Sequence, residues 1–143
     1  MRTVQQPLFT PETEWVPPDH LPDLSSHAEI AIDLETRDPN LLTMGSGSVR
    51  RDGEVVGIAV AVEGWSGYFP IAHEGGGNMD RALVLDWFEE LLQTTSTKIF
   101  HNAMYDVSWI RSLGFYINGG IIDTMIAASL IDENRYSYTL DSV

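Results

Sequence analysis

Asp33 and Glu35 stand two residues apart in EIAIDLET, a short run of mostly apolar and β-branched residues. If that run is a strand, side chains at i and i+2 leave the same face. The two carboxylates then point to one place, roughly 7 Å apart along the backbone. Two anions held together repel unless a cation lies between them; a pair of solvated acids at a strand end is the plain alternative. Asp106 adds a third carboxylate. Within NAMYDVSWIRSL it shares a helical face with Asn102 at i−4 and with Trp109, Ile110 and Leu113 at i+3, i+4 and i+7. An unpaired buried carboxylate is costly, so an acid on an apolar face needs a partner, an edge position or a backbone amide. Three converging carboxylates would suit a hard, oxygen-seeking cation such as Mg²⁺ or Mn²⁺. The convergence requires KIFH, the strand feeding the Asp106 helix, to run parallel to EIAIDLET.

The elements that must hold these residues follow from pattern. EIAIDLET and VVGIAVAV (55–62) read as strands, GYFPIAH (67–73) as a third strand antiparallel to the second, and the glycine-rich stretch 39–53 as a connection. Asn78 is placed to cap a helix from Met79 to Gln93, with Val84, Phe88 and Leu92 at helical spacing. KIFH (98–101) is a strand, 102–113 a helix ended by Gly114, GGIID (119–123) a strand and TMIAASLID (124–132) a helix. The order β-β-β-α-β-α-β-α indicates an α/β mixed sheet with helices against its faces. Residues 1–27 carry Pro7, Pro11, Pro17, Pro18 and Pro22 and read as an extended arm, which Leu8, Phe9, Trp15 and Val16 can pin down.

AIDLET resembles the first motif, D-x-E-T, of the DEDD superfamily of 3′→5′ exonucleases, and HNAMYDVSWI resembles its second, N-x-x-x-D. The succession of GYFPIAH, a helix, KIFHNAMYD, IIDTMIAASLID and YTLDSV is similar to the proofreading domain of family A DNA polymerases over residues 28–143. The resemblance implies an RNase H-like fold, its first three strands antiparallel and the later ones parallel. It also implies that Asp33, Glu35 and Asp106 are catalytic and ligate two Mg²⁺ or Mn²⁺ ions, roughly 4 Å apart, that activate water and stabilise the leaving 3′ oxygen. Thr36 would contact the terminal nucleotide, or else be a strand-end turn residue. Asn102 would hold the strand near the scissile phosphate, cap its helix, or both. Tyr105 reads as packing.

The family's fourth acid sits in Y-x-x-x-D or H-x-x-x-D. Here Ala128 stands four before Asp132 and Ser137 four before Asp141, so neither fits. The domain therefore reads as C-terminally incomplete, and weak or no exonuclease activity is expected of these 143 residues alone. With Met1 leading through the arm into this pattern, no 5′-nuclease domain is expected ahead of it, as in phage-type polymerases. The expected partners are a single-stranded DNA 3′ end and a polymerase domain, with no membrane and a cytoplasmic setting in a bacterial or phage-infected cell. An RNase D-like RNA exonuclease, or an inactive RNase H-like module kept for strand binding, would share most of these features.

Composition bounds the reading. The chain has 143 residues, 43% hydrophobic and 20% charged, enough for one core. No apolar run reaches the roughly 18 residues of a membrane span, and the absence of cysteine excludes disulfides and thiolate metal sites. Eight Lys and Arg against 21 Asp and Glu give a net charge of −13, which argues against holding nucleic acid on a basic patch. Among the remaining features, Asp123 reads as a helix cap, Gly75 to Gly77 as a turn, and His73 and His101 as strand-end residues. Arg50 and Arg51 read as a solvated hairpin tip more readily than as phosphate contacts. Trp65, Tyr68 and Phe69 read as packing more readily than as base-stacking groups.

Overall fold

Alternation sets the first strand. In the computed structural model, which describes residues 15–143, β1 (Glu29–Arg37) buries Ile30, Ile32 and Leu34 and turns Asp33 and Glu35 to the opposite face. The apolar run behind it forms β2 (Glu54–Val62), and β3 (Trp65–Pro70) returns alongside. With β4 (Thr97–Phe100) and β5 (Ile121–Asp123) the sheet order is β3-β2-β1-β4-β5. The first three strands pair antiparallel; β1 with β4, and β4 with β5, pair parallel. This is the mixed sheet expected, and it meets the condition set for Asp106.

One face of the sheet is covered by α3 (Arg81–Gln93) and α4 (Ala103–Ser112). Val84, Phe88, Leu92, Trp109 and Ile110 meet Ile30, Ile58, Phe69 and Phe100 in a single core. Each such side chain contributes about 1.5–3 kcal/mol on burial, so this face holds the fold together. The last helix, α5 (Thr124–Ile131), buries Ala128 alone and leaves Ile126, Leu130 and Ile131 exposed.

Several boundaries differ from expectation. Asp80, not Asn78, caps α3 by accepting from the Leu83 amide at 3.0 Å. Met79 is still tied to the strand end, its amide donating to the Pro70 carbonyl, so the helix cannot begin there. Asn78 instead brackets the backbone of His73, accepting from its N–H and donating to its carbonyl across the glycine turn. The connection 39–53 contains two single turns, α1 (Leu41–Met44) and α2 (Gly47–Arg50). Asp38 steadies them by accepting from the Gly47 amide.

Trp15 to Ala28 carries no helix or strand. Leu24 is buried, and the Trp87 indole donates to the Pro22 carbonyl at 2.8 Å. Trp15 packs on the Tyr68 ring, while Val16 is 75% exposed and pins nothing; Leu8 and Phe9 lie outside the described residues. Among the described residues no helix is long and apolar enough to cross a membrane.

Candidate active site

The β1 ladder to β4 ends at the Ala31 and Ile99 pair, after which the chain leaves β4 through His101 and enters α4. Beyond that point the Leu34 backbone N–H has no strand partner on this side, and it bonds the carboxylate of Asp106. Asp106 is only 3% exposed. Burial, then the charge of Asp33, and further the charges of Glu35 and Asp123, push its pKa up to about 7 against the single opposing bond from Leu34. Asp33 is also raised, by burial, against an opposing influence from His101. The three acids singled out by spacing thus share one electrostatic field at the C-terminal end of β1. Among the described residues, however, no three His, Asp or Glu side chains are arranged to enclose a metal ion. The donor chemistry suits a hard cation, and the repulsion that raises Asp106 is what such a cation would relieve.

Asp123 organises the entry to α4. At the end of β5 its carboxylate accepts from the amides of Asn102 (3.1 Å) and Ala103 (2.8 Å), and from Met125 (2.9 Å) and Ile126 (3.5 Å) at the start of α5. Burial alone would raise its pKa, but these bonds outweigh it and hold Asp123 below the usual carboxylate range. The cap expected on α5 is present. The cap expected from Asn102 is not, because its side chain makes no capping bond and its backbone takes φ 66°. The αL turn aims the Asn102 and Ala103 amides at Asp123 instead.

Thr36 alternates to the α4 side of the sheet. Its hydroxyl lies 2.7 Å from that of Tyr105, which donates to Asp38 at 3.2 Å. Tyr105 packs against the core as expected, and its hydroxyl also joins β1, α4 and the 38–53 connection, a role its sequence context did not reveal.

On the open face of the sheet a cavity of about 540 Å³ is lined by Asp33, Ala59, Ala61, Tyr68, Ile99 and His101, among others. Small residues keep it open. A Cβ on Gly57, which pairs with Glu35, would fall 1.9 Å from the Tyr68 hydroxyl, so only glycine admits that ring. Burial, and after it the Glu35 charge, raises Tyr68. Tyr68 is therefore on the site's face, whereas Phe69 is in the core and Trp65 packs against it. His101 Nε2 donates to the Tyr138 carbonyl at 2.6 Å and Nδ1 meets the Thr124 hydroxyl at 2.9 Å, so the ring fastens the C-terminal segment beside Asp33.

The sheet order and helix placement are those of RNase H-like nucleases. The structure of Brucella melitensis NrnC with bound Mg²⁺ superposes with a TM-score of 0.58 and 21% identity, covering 84% of this chain and 53% of that one. The sequence model of the 3′-5′ exonuclease domain of DNA polymerases A matches residues 10–142, and the chain belongs to that family. A DNA-directed DNA polymerase of Pseudomonas phage M6 is 36% identical over all of this chain and 23% of its own length. DNA polymerase I of Borreliella burgdorferi is 27% identical over 81% of the chain and 12% of its own length. The chain thus spans less than a quarter of these relatives.

Proposed function

We propose that this domain hydrolyses the terminal phosphodiester at single-stranded DNA 3′ ends, with Asp33, Glu35 and Asp106 holding divalent Mg²⁺ or Mn²⁺. The observation that carries the reading is Asp106, a carboxylate only 3% exposed that pairs with no cation among the described residues and feels the neighbouring Asp33 charge. Buried acids are ordinarily paired, and an uncompensated carboxylate beside another marks a candidate site. A bound divalent cation supplies charge neutralisation for the phosphate and for the attacking oxygen. The chain's own residues do the rest. Asp106 must give up the proton it holds at its carboxylate before it can ligate, and the Leu34 amide keeps that group aimed at the end of β1. Asn102, exposed on its αL turn, is free to meet the strand. Thr36, tied through its hydroxyl to Tyr105, would contact the terminal nucleotide. The polymerase names of the longer relatives support a polymerase domain as the partner in the whole protein, in a bacterial or phage-infected cell.

Calorimetric titration with Mn²⁺ tests the site. Binding by this chain, lost in Asp33→Ala and in Asp106→Asn, is expected; unchanged binding in both variants would overturn the assignment. Release of a 3′-terminal label from DNA and from RNA strands, compared in Mn²⁺, decides the substrate. Preference for RNA would move the reading to an RNase D-like enzyme. These 143 residues carry three of the family's four acids, so release is expected to be slow.

A further inference from the structure

Among the described residues most of the few cations are committed. Arg37 pairs with Glu54 and Glu74, Arg50 with Asp52 and the carbonyls of Met44, Gly45 and Ser46, and Arg135 with Asp132. Arg111 lies over the Tyr116 ring, and Lys98 is buried. Arg51 and Arg81 remain, and neither makes an ion pair or side-chain hydrogen bond with any described residue. Both line the same cavity, about 420 Å³, together with Ser48, Glu54, Ser112 and Trp109. In a protein of net charge −13, two uncommitted guanidiniums beside one cavity need an explanation.

A second, independent feature marks the same place. Trp109 is 3% exposed, and its indole Nε1 is the buried side-chain polar atom without a hydrogen-bond partner among the described residues. Such an orphan donor is destabilising unless something accepts from it. Arg51 also holds φ 58°, one of the two non-glycine residues with positive φ among the described residues, the other being Asn102 at the acid cluster. Trp109 lies one helical turn beyond Asp106 on α4, whose last residue Ser112 and the following Leu113 also line the cavity.

We propose that this cavity is a phosphate-binding site distinct from the carboxylate cluster, in which Arg51 and Arg81 hold the anion and the Trp109 side chain forms part of the wall. Guanidinium forks match the geometry of phosphate oxygens; the choice of phosphate over carboxylate rests on the exonuclease reading, whose substrate strand and mononucleotide product both carry phosphate. The Glu54 carboxylate in the wall is engaged by Arg37, which it shares with Glu74, so its repulsion of the anion is reduced. Of the two adjacent arginines met in sequence, Arg50 is structural, and Arg51 is the phosphate ligand.

The test follows the four tryptophan indole N–H signals by NMR, with Trp109→Phe identifying one of them, in EDTA so that no metal contributes. Inorganic phosphate, thymidine 5′-monophosphate and a short oligo(dT) are titrated, with acetate as the carboxylate control. A saturable shift of the Trp109 signal is expected with phosphate, weakened by about tenfold or more in Arg51→Gly/Arg81→Gln. Glycine suits the αL backbone at position 51, and the three remaining indole signals report whether the double variant is folded. Tighter binding of oligo(dT) than of the small anions assigns the site to the strand, and the reverse assigns it to free nucleotide. No saturable shift, an equal response to acetate, or an unchanged response in the double variant overturns the proposal. Because no metal or turnover enters, these outcomes are separable from failure of Mn²⁺ binding at Asp33 and Asp106.

Discussion

Two buried charges, at opposite ends of one strand pair, are treated in opposite ways. Lys98 pairs in register with Ile30 at the start of β1, and Asp106 meets Leu34 near its end, roughly 13 Å further along at strand spacing. Lys98 is wholly buried, and its ammonium donates to the carbonyls of Thr94, Ser96 and Asn118 and meets the Thr94 hydroxyl. Burial still lowers its pKa, but every proton has an acceptor. Asp106 has one backbone donor and three neighbouring carboxylates that disfavour its charge. Burial of a charge with its hydrogen bonds complete anchors a fold; burial of a carboxylate among like charges marks a candidate site.

The largest expected effect breaks the frustrated side. The Asp106 carboxyl ionises near 3.8 when unfolded and only at about 7 when folded, so the folded state holds the extra proton between those values. Stability should therefore fall as pH rises through that window, by up to about 4 kcal/mol at ~1.4 kcal/mol per unit. Unfolding by urea in EDTA across the range measures this. Asp106→Asn should flatten the profile and unfold at higher temperature than the parent above about pH 8, while losing Mn²⁺ binding. A variant less stable than the parent there would show that Asp106 is satisfied after all.

Next, Lys98→Met should destabilise by about 3 kcal/mol, because three carbonyls lose their donor, with Mn²⁺ affinity of the folded protein unchanged. A neutral result would remove the contrast from the other side. Asp123→Ala withdraws the acceptor from two helix starts and should lower stability by about 2 kcal/mol in thermal unfolding. Asp123→Asn, which keeps one acceptor oxygen, should recover part of that. Tyr105→Phe breaks only the hydroxyl links to Thr36 and Asp38 and should cost about 1 kcal/mol. Faster amide exchange over 38–53 than in the parent would locate the loss.

Much of this was readable in order and type of residue. Alternation in EIAIDLET gave β1 its buried Ile30, Ile32 and Leu34 and its outward Asp33 and Glu35, because a period of two admits no other assignment when one face is buried. The helical face of Asp106 was legible for the same reason at a period of 3.6. What failed were decisions taken by competition among local partners. Asn78 and Asp80 are both good caps, and the bond from Met79 to Pro70 chose between them. Asn102 has the right type to cap α4, yet Asp123, twenty-one residues later and adjacent only through the parallel pairing of β4 and β5, supplies the acceptor.

The same division holds for function. Residue types and their spacing were enough to single out candidate acids, the chemistry they would suit and the family they resemble, since donor chemistry is a property of side chains. Which acid carries the strain, which arginine of an adjacent pair is uncommitted, and which buried indole lacks an acceptor emerged only once distant segments were packed together. Those properties depend on desolvation and on the field of neighbours, and a linear chain has neither until it folds.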